Sequence, residues 1–73
     1  MKAKFKLQSI TKFDGTDGIT AKFGAVTGDT KENKSFWNAT PSGQIEVYVT
    51  NPKAVEQLEL GKNYYVDFTV ADD

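Results

Sequence analysis

Residues 2–27, KAKFKLQSITKFDGTDGITAKFGAVT, contain two runs of alternating apolar and polar residues with a turn between them. Alternation with a period of two is typical of a strand with one buried face. It holds over residues 2–13, where lysine occupies many of the polar positions, and it resumes over residues 19–27. The glycines and aspartates of residues 14–18 favour a tight turn. The segment therefore predicts a β-hairpin.

Two further strands are predicted from the same pattern, at residues 44–50 and 62–70. The segment between the hairpin and the third strand, residues 27–43, is polar apart from two aromatic residues. It predicts a long loop, with at most a short strand at residues 35–39.

One helix is predicted between the last two strands. Asn51 is a good N-cap, Pro52 suits the first helical position, and Gly61 suits a left-handed residue after the last turn. These signals predict about two turns of helix.

The predicted order is strand, strand, long loop, strand, helix, strand, in a single domain covering residues 1–73. This order indicates a mainly β fold with one short helix, in the α+β class. We expect a small curved antiparallel sheet or a partly open barrel similar to the oligonucleotide-binding fold. That fold usually has five strands, with its helix between the third and fourth, so the match is incomplete.

Successive side chains of a strand point to opposite faces. This alternation divides the aromatic residues into an inner group and an outer group. Phe5, Phe13, Phe23 and Phe68 fall on the apolar sides of their strands, and Tyr64 joins them. These residues are predicted to form the core.

The outward positions combine lysines with aromatic side chains, a mixture that suits contacts to phosphates and stacking on bases. The candidate ligand-binding residues are Lys4, Lys6, Lys22, Phe36, Trp37, Tyr48 and Tyr65. The alternative is that these side chains make cross-strand pairs on a solvated face or pack in a homo-oligomer. The absence of arginine removes bidentate phosphate contacts and favours that alternative.

The string FWNATPSG, residues 36–43, places two large aromatic side chains in a polar segment. Phe36 and Trp37 are expected to close an open end of the core, or one of them contacts a ligand or partner. Residues 40–43, TPSG, have the composition of a turn.

Composition excludes most catalytic chemistry. The 73 residues include no cysteine and no histidine, so disulfides, thiolate or imidazole metal sites and the commonest general base are absent. Asp14 and Asp17 do not reproduce a calcium-loop pattern. We therefore expect a non-enzymatic binding module with no metal and no cofactor. Because so short a chain buries little surface, homo-oligomerisation is expected to add to it.

Charge is distributed unevenly although its sum is −1. Residues 1–24 carry five lysines and two aspartates, whereas residues 49–73 carry two lysines and five acidic residues. The near-neutral sum argues against binding duplex DNA by bulk electrostatics. The sequence has no apolar stretch typical of an export signal or membrane span, so a cytoplasmic location is expected.

A lysine-rich opening strand and two strings together give the chain a resemblance to known proteins. FW-x-x-TP-x-G-x-I at residues 36–45 and GK-x-YYVDF at residues 61–68 resemble small, mostly uncharacterised proteins of tailed bacteriophages. The resemblance implies a viral origin and a role in the cytoplasm of the infected bacterium, without an activity. Proteins of this kind often bind nucleic acid or inhibit bacterial defence. From the outward lysines and aromatic residues we expect single-stranded nucleic acid or a nucleotide as ligand; the alternatives are a host defence protein as partner or a minor role in the virion.

Overall fold

The computed structural model describes residues 1–28 and 30–72 and contains one four-stranded antiparallel sheet with the strand order β3-β2-β1-β4. Its elements in chain order are β1 (Lys2–Lys12), β2 (Ile19–Ala25), α1 (Lys31–Ala39), β3 (Gln44–Val49), α2 (Pro52–Val55) and β4 (Asn63–Asp67). The mainly β class and the small antiparallel sheet are confirmed. The sheet is open and does not close into a barrel.

The predicted hairpin is present and joins β1 to β2. Gly15 adopts a left-handed conformation in its turn, with a φ of 83°, which glycine accepts without the steric cost of a Cβ atom. The hydroxyl of Thr16 donates to the carbonyl of Phe13 across 3.2 Å and holds the start of the turn.

A β-bulge interrupts β1 and reverses its alternation. Leu7 pairs with Phe23, but the next pair is Ser9 with Lys22, so Gln8 is an extra residue in the strand. The residues after the bulge therefore face the opposite side from the one that strict alternation predicts. As a result Ile10 packs against the core, and the prediction that Phe13 is a core residue is wrong, since it is 58% exposed.

The core lies on one face of the two central strands. Its buried cluster consists of Ala3, Phe5, Leu7, Ala21 and Phe23. The predictions for Phe5 and Phe23 are confirmed.

Residues of β4 and of the connection before it complete the core. Tyr64 packs edge-on against Phe23 with ring centroids 5.7 Å apart, and Leu58 packs against the same cluster. The Tyr64 hydroxyl accepts from the Glu59 amide at 2.7 Å and donates to the Gln57 carbonyl at 3.0 Å. These bonds anchor the β3–β4 connection. Phe68, by contrast, follows the last residue of β4 and is 51% exposed, so its predicted core position is wrong.

The prediction of a long loop over residues 27–43, with a short strand at residues 35–39, is wrong over residues 31–39, because these residues form helix α1. The Thr30 side chain caps the helix by accepting a hydrogen bond from the Asn33 amide at 3.1 Å. Glu32 lies in the first turn, where a carboxylate complements the helix dipole. No residue of α1 is buried. The helix therefore does not need a continuous apolar stripe, which is the pattern by which a helix is recognised in a sequence. The loop prediction also included Asp29, which lies outside the described residues.

Helix α2 begins where the sequence predicts and ends earlier. Asn51 caps it by accepting from the Lys53 amide at 2.9 Å, and Pro52 occupies the first turn. Gly61 is left-handed as predicted, with a φ of 87°, but it lies in a later turn rather than directly after the helix. There its amide donates to the Leu7 carbonyl.

Within residues 1–28 and 30–72, no helix combines the length and the apolar character needed to cross a membrane.

Candidate functional site

The face of the sheet opposite the core carries most of the candidate residues, and we call it the lysine face after Lys2, Lys4 and Lys6 of β1. Cross-strand pairing places Lys4 opposite Tyr65. Two further pairs on this face are Lys22 with Glu46 and Thr20 with Tyr48. The candidates on the strands therefore share one surface, as their alternation predicts.

Helix α1 packs on this face through a polar cluster around Lys4. The Lys4 ammonium donates to Glu32 Oε2 at 2.8 Å and to Asn33 Oδ1 at 2.6 Å. The Tyr65 hydroxyl donates to the other carboxylate oxygen of Glu32 at 2.7 Å. We call Lys4, Glu32 and Tyr65 the latch, because these three residues connect α1 with β1 and β4.

The latch alters the ionisation of two of its groups, Glu32 and Tyr65. Only 11% of the Lys4 side chain is exposed, and its ammonium lies against the Glu32 carboxylate. The hydrogen bonds from Lys4 and Tyr65 lower the pKa of Glu32. The hydrogen bond to Glu32 raises the pKa of Tyr65.

Phe36 adds an apolar contact to the latch. Its ring lies 5.8 Å from that of Tyr65, and the Lys4 ammonium lies 6.0 Å from the Phe36 centroid. The expectation that Phe36 closes an open end of the core is wrong, because it packs on the lysine face instead. Lys4, Phe36 and Tyr65 are thus engaged in holding α1.

A polar cleft of about 330 Å³ lies between α1 and the sheet. Its lining includes the side chains of Lys6, Gln8, Asn33 and Asn63, together with the chain at Val26 and Thr27. Lys6 is exposed and pairs directly with Asn63 in the β1–β4 ladder. The cleft thus offers one ammonium and three amide side chains.

The bulge in β1 positions one of these amides. A Cβ atom on Gly24 would lie 2.6 Å from both terminal atoms of the Gln8 side chain. The Gln8 amide therefore lies directly over the Gly24 backbone. Any side chain at residue 24 would occupy the same space as this amide.

The remaining candidates lie outside the cleft lining. Lys22 approaches Glu46 at 3.5 Å, with both side chains about half exposed. The Tyr48 ring covers Gly18, where an added Cβ atom would lie 2.5 Å from it. Trp37 is 43% exposed and follows Asn33 by four residues, so the two occupy the same side of α1.

The three amide side chains of the cleft are absent from the sequence-based candidates. Gln8 is placed by a bulge, Asn33 by a helix that the sequence does not reveal, and Asn63 by pairing between distant strands. Amide residues have no distinctive spacing, so only the Lys6–Asn63 pairing could have been inferred, and it required the strand order. Among the described residues, no group of three or more acidic side chains is positioned to hold a metal ion.

Comparisons of the chain with protein-family models, with curated proteins and with solved structures find no match.

Proposed function

We propose that this chain is a non-enzymatic binding module whose ligand is a nucleotide unit, free or within single-stranded nucleic acid. The observation that carries the proposal is the cleft between α1 and the lysine face. Its volume of about 330 Å³ falls in the range of about 300–1,000 Å³ that is usual for small-molecule sites.

The chemistry of the cleft lining suits the two parts of a nucleotide. The Lys6 ammonium offers a point charge for phosphate. Gln8 and Asn63 carry both donors and acceptors, and Asn33, whose Oδ1 accepts from Lys4, offers the donors of its amide group. These groups match the edges of an unpaired base. Duplex nucleic acid is a poorer ligand because the base edges are occupied and the net charge of the chain is −1.

Trp37 supplies a flat surface for stacking. It lies one helical turn after Asn33, with a half-exposed ring. Stacking on an aromatic side chain contributes about 1–3 kcal/mol per base in proteins that bind single strands. The proposed site therefore consists of Lys6, the three amides and Trp37, with Lys4 and Tyr65 supporting the helix.

Fluorescence of Trp37, the only tryptophan in the chain, measures binding directly. Titration with a mononucleotide and with short single-stranded oligonucleotides should quench it, with affinity falling as salt rises. Lys6→Gln should lower the slope of log K against log salt by about 0.7, the contribution of one phosphate contact in a single strand. Lys53→Gln, in α2, is the matched control and should leave the slope unchanged.

A second variant tests the amides without changing charge. Gly24→Ala should push the Gln8 side chain from its position, and because that side chain is flexible the fold should survive. We expect weaker binding with an unchanged salt slope. The proposal fails if neither a mononucleotide nor an oligonucleotide binds at low salt, or if Lys6→Gln and Lys53→Gln behave alike.

Half exposure of Trp37 on a helix with no buried residue also suits contact with a protein. The second candidate function is inhibition of a bacterial defence protein through α1, in the host cytoplasm, as the likeness to tailed-phage proteins implies. Capture of such a protein that is lost in Trp37→Ala, without any nucleotide-dependent quenching, would favour this function over the first. Detection of the chain in purified virions would instead favour a role in the particle.

A further inference from the structure

We propose that the free edge of β3 pairs with β3 of a second copy, forming an antiparallel eight-stranded sheet across a two-fold axis at Val47. This inference is independent of the proposed ligand. It depends on the state of the two sheet edges, on the surface area of the chain and on the sequence of β3.

The sheet has two outer strands, β4 and β3. At β4, helix α1 contacts the Tyr65 side chain through Glu32 and Phe36 on the lysine face. At β3, the ladder with β2 runs without a bulge from Gln44 to Val49, and among the described residues no strand pairs with its outer side.

Strand β3 also lacks the features that prevent edge pairing. Proteins protect edge strands with proline, lysine, bulges or inward-pointing charges. The segment QIEVYV contains no proline and no lysine, and its one charge, Glu46, lies beside Lys22. An unprotected edge of six residues with β-branched side chains is a template for another strand.

The accessible surface area of the chain is larger than a monomeric protein of its mass usually exposes. A monomeric protein of 8.1 kDa exposes about 4,500 Å², whereas this chain exposes 5602 Å². A stable interface of standard size covers about 800 Å² on each partner. The excess is larger than that area, although the extended chain after β4 contributes to it. On the core side of the edge, Val47 is 39% exposed, so a paired copy would cover apolar surface.

The sequence of β3 selects one register for this pairing. Directly paired residues of antiparallel strands share a face. A two-fold axis between two β3 strands must therefore pass between one residue and the same residue of the other copy. An axis at Glu46 would place two carboxylates opposite each other, and like charges in that position destabilise a sheet. An axis at Ile45 or at Tyr48 would leave only three residues of β3 paired, and an axis at either end of the strand would leave one.

An axis at Val47 avoids both problems. It pairs Val47 with its own copy, Ile45 with Val49, and Glu46 with Tyr48. Every core-side residue then meets an apolar partner, and each carboxylate meets a tyrosine. This self-complementarity identifies the occupant of the edge as a second copy of the chain.

Sedimentation or light scattering over a concentration series tests the proposal. The chain should reach twice its monomer mass of 8.1 kDa. Val47→Lys and Val47→Glu should each remain monomeric, because each places two like charges on the axis. An equimolar mixture of the two variants should regain the dimer mass, since the charges are then complementary. Val70→Lys, at a residue 94% exposed beyond β4, is the matched control and should dimerise.

A mass of 8.1 kDa for the unaltered chain at all concentrations overturns the proposal, and so does a dimer that persists in Val47→Lys, which would locate the interface elsewhere. Folded variants that stay monomeric when mixed overturn the axis at Val47. If circular dichroism shows that the variants are unfolded, amide exchange of the unaltered chain decides: the outward β3 amides must become protected as concentration rises.

Discussion

Lys4 and Glu32, which are 28 residues apart in the sequence, meet in a hydrogen-bonded ion pair of 2.8 Å that connects the first strand to helix α1. The lysine is nearly enclosed, with 11% of its side chain exposed, whereas the carboxylate is about half exposed. Removal of the carboxylate would leave an enclosed charge with only Asn33 as an acceptor in its hydrogen-bonded cluster. The position of α1, and with it one wall of the cleft, therefore depends on this pair.

Glu32→Gln should release α1 while leaving the sheet intact. The variant loses the charge that compensates Lys4, and no buried residue of α1 holds the helix in place. Hydrogen exchange should become severalfold faster for the amides of residues 31–39 and stay unchanged in the hairpin. Glu56→Gln removes a carboxylate that takes part in no described ion pair, and it should change neither region. Unchanged exchange in α1 of Glu32→Gln would contradict the role of the latch.

The latch should also open in acid. Lys4 and Tyr65 lower the pKa of Glu32 in the folded protein, so the stability it contributes is complete above its unfolded value of about 4.3. That contribution is lost as the pH falls through the lower folded value. Trp37 fluorescence should report an acid transition below about pH 4.3. The same transition should be missing from Glu32→Gln, and its persistence there would assign it to another group.

Leu7→Ala should destabilise the whole fold. Leu7 is completely buried at the centre of the core cluster, and truncation of such a residue costs about 2–5 kcal/mol. A domain this small has little stability to lose. Urea denaturation followed by circular dichroism should show a much lower midpoint or no folded baseline. Leu60→Ala, at a residue 62% exposed, should shift the midpoint only slightly.

Deletion of Gln8 should leave the fold intact and damage the cleft. Without it, Leu7, Ser9 and Ile10 can keep their partners Phe23, Lys22 and Ala21 in a regular ladder. Amide spectra should show all strand pairings retained. Ligand-dependent quenching of Trp37 should weaken, because the cleft loses an amide. Deletion of Ser9 is the informative comparison, since Gln8 would then occupy the regular position opposite Lys22. An unfolded Gln8 deletion would show that the bulge is required for folding.

The sequence alone permits prediction of most of the sheet but not of the site. The alternation of β2, β3 and β4 and the Asp-Gly turn identify the strands, because side-chain period and turn conformation are local properties. Phe13 is misassigned because one inserted residue, Gln8, reverses which residues of β1 face the core. No residue type in the sequence marks this bulge. The α1 segment is misassigned because its cap at Thr30 is not accompanied by an apolar stripe, and helix prediction relies on that stripe.

The sequence by itself determined which residues can form strands, where the chain turns, and that Lys4, Lys6, Lys22, Tyr48 and Tyr65 would face away from the core. Only the tertiary structure decided that β1 and β2 lie at the centre, that α1 packs over Lys4 and Tyr65, and that Lys6, Gln8, Asn33 and Asn63 line one cleft. The physical reason is range: alternation and capping act within a few residues, whereas the latch and the cleft require contacts between groups up to about sixty positions apart.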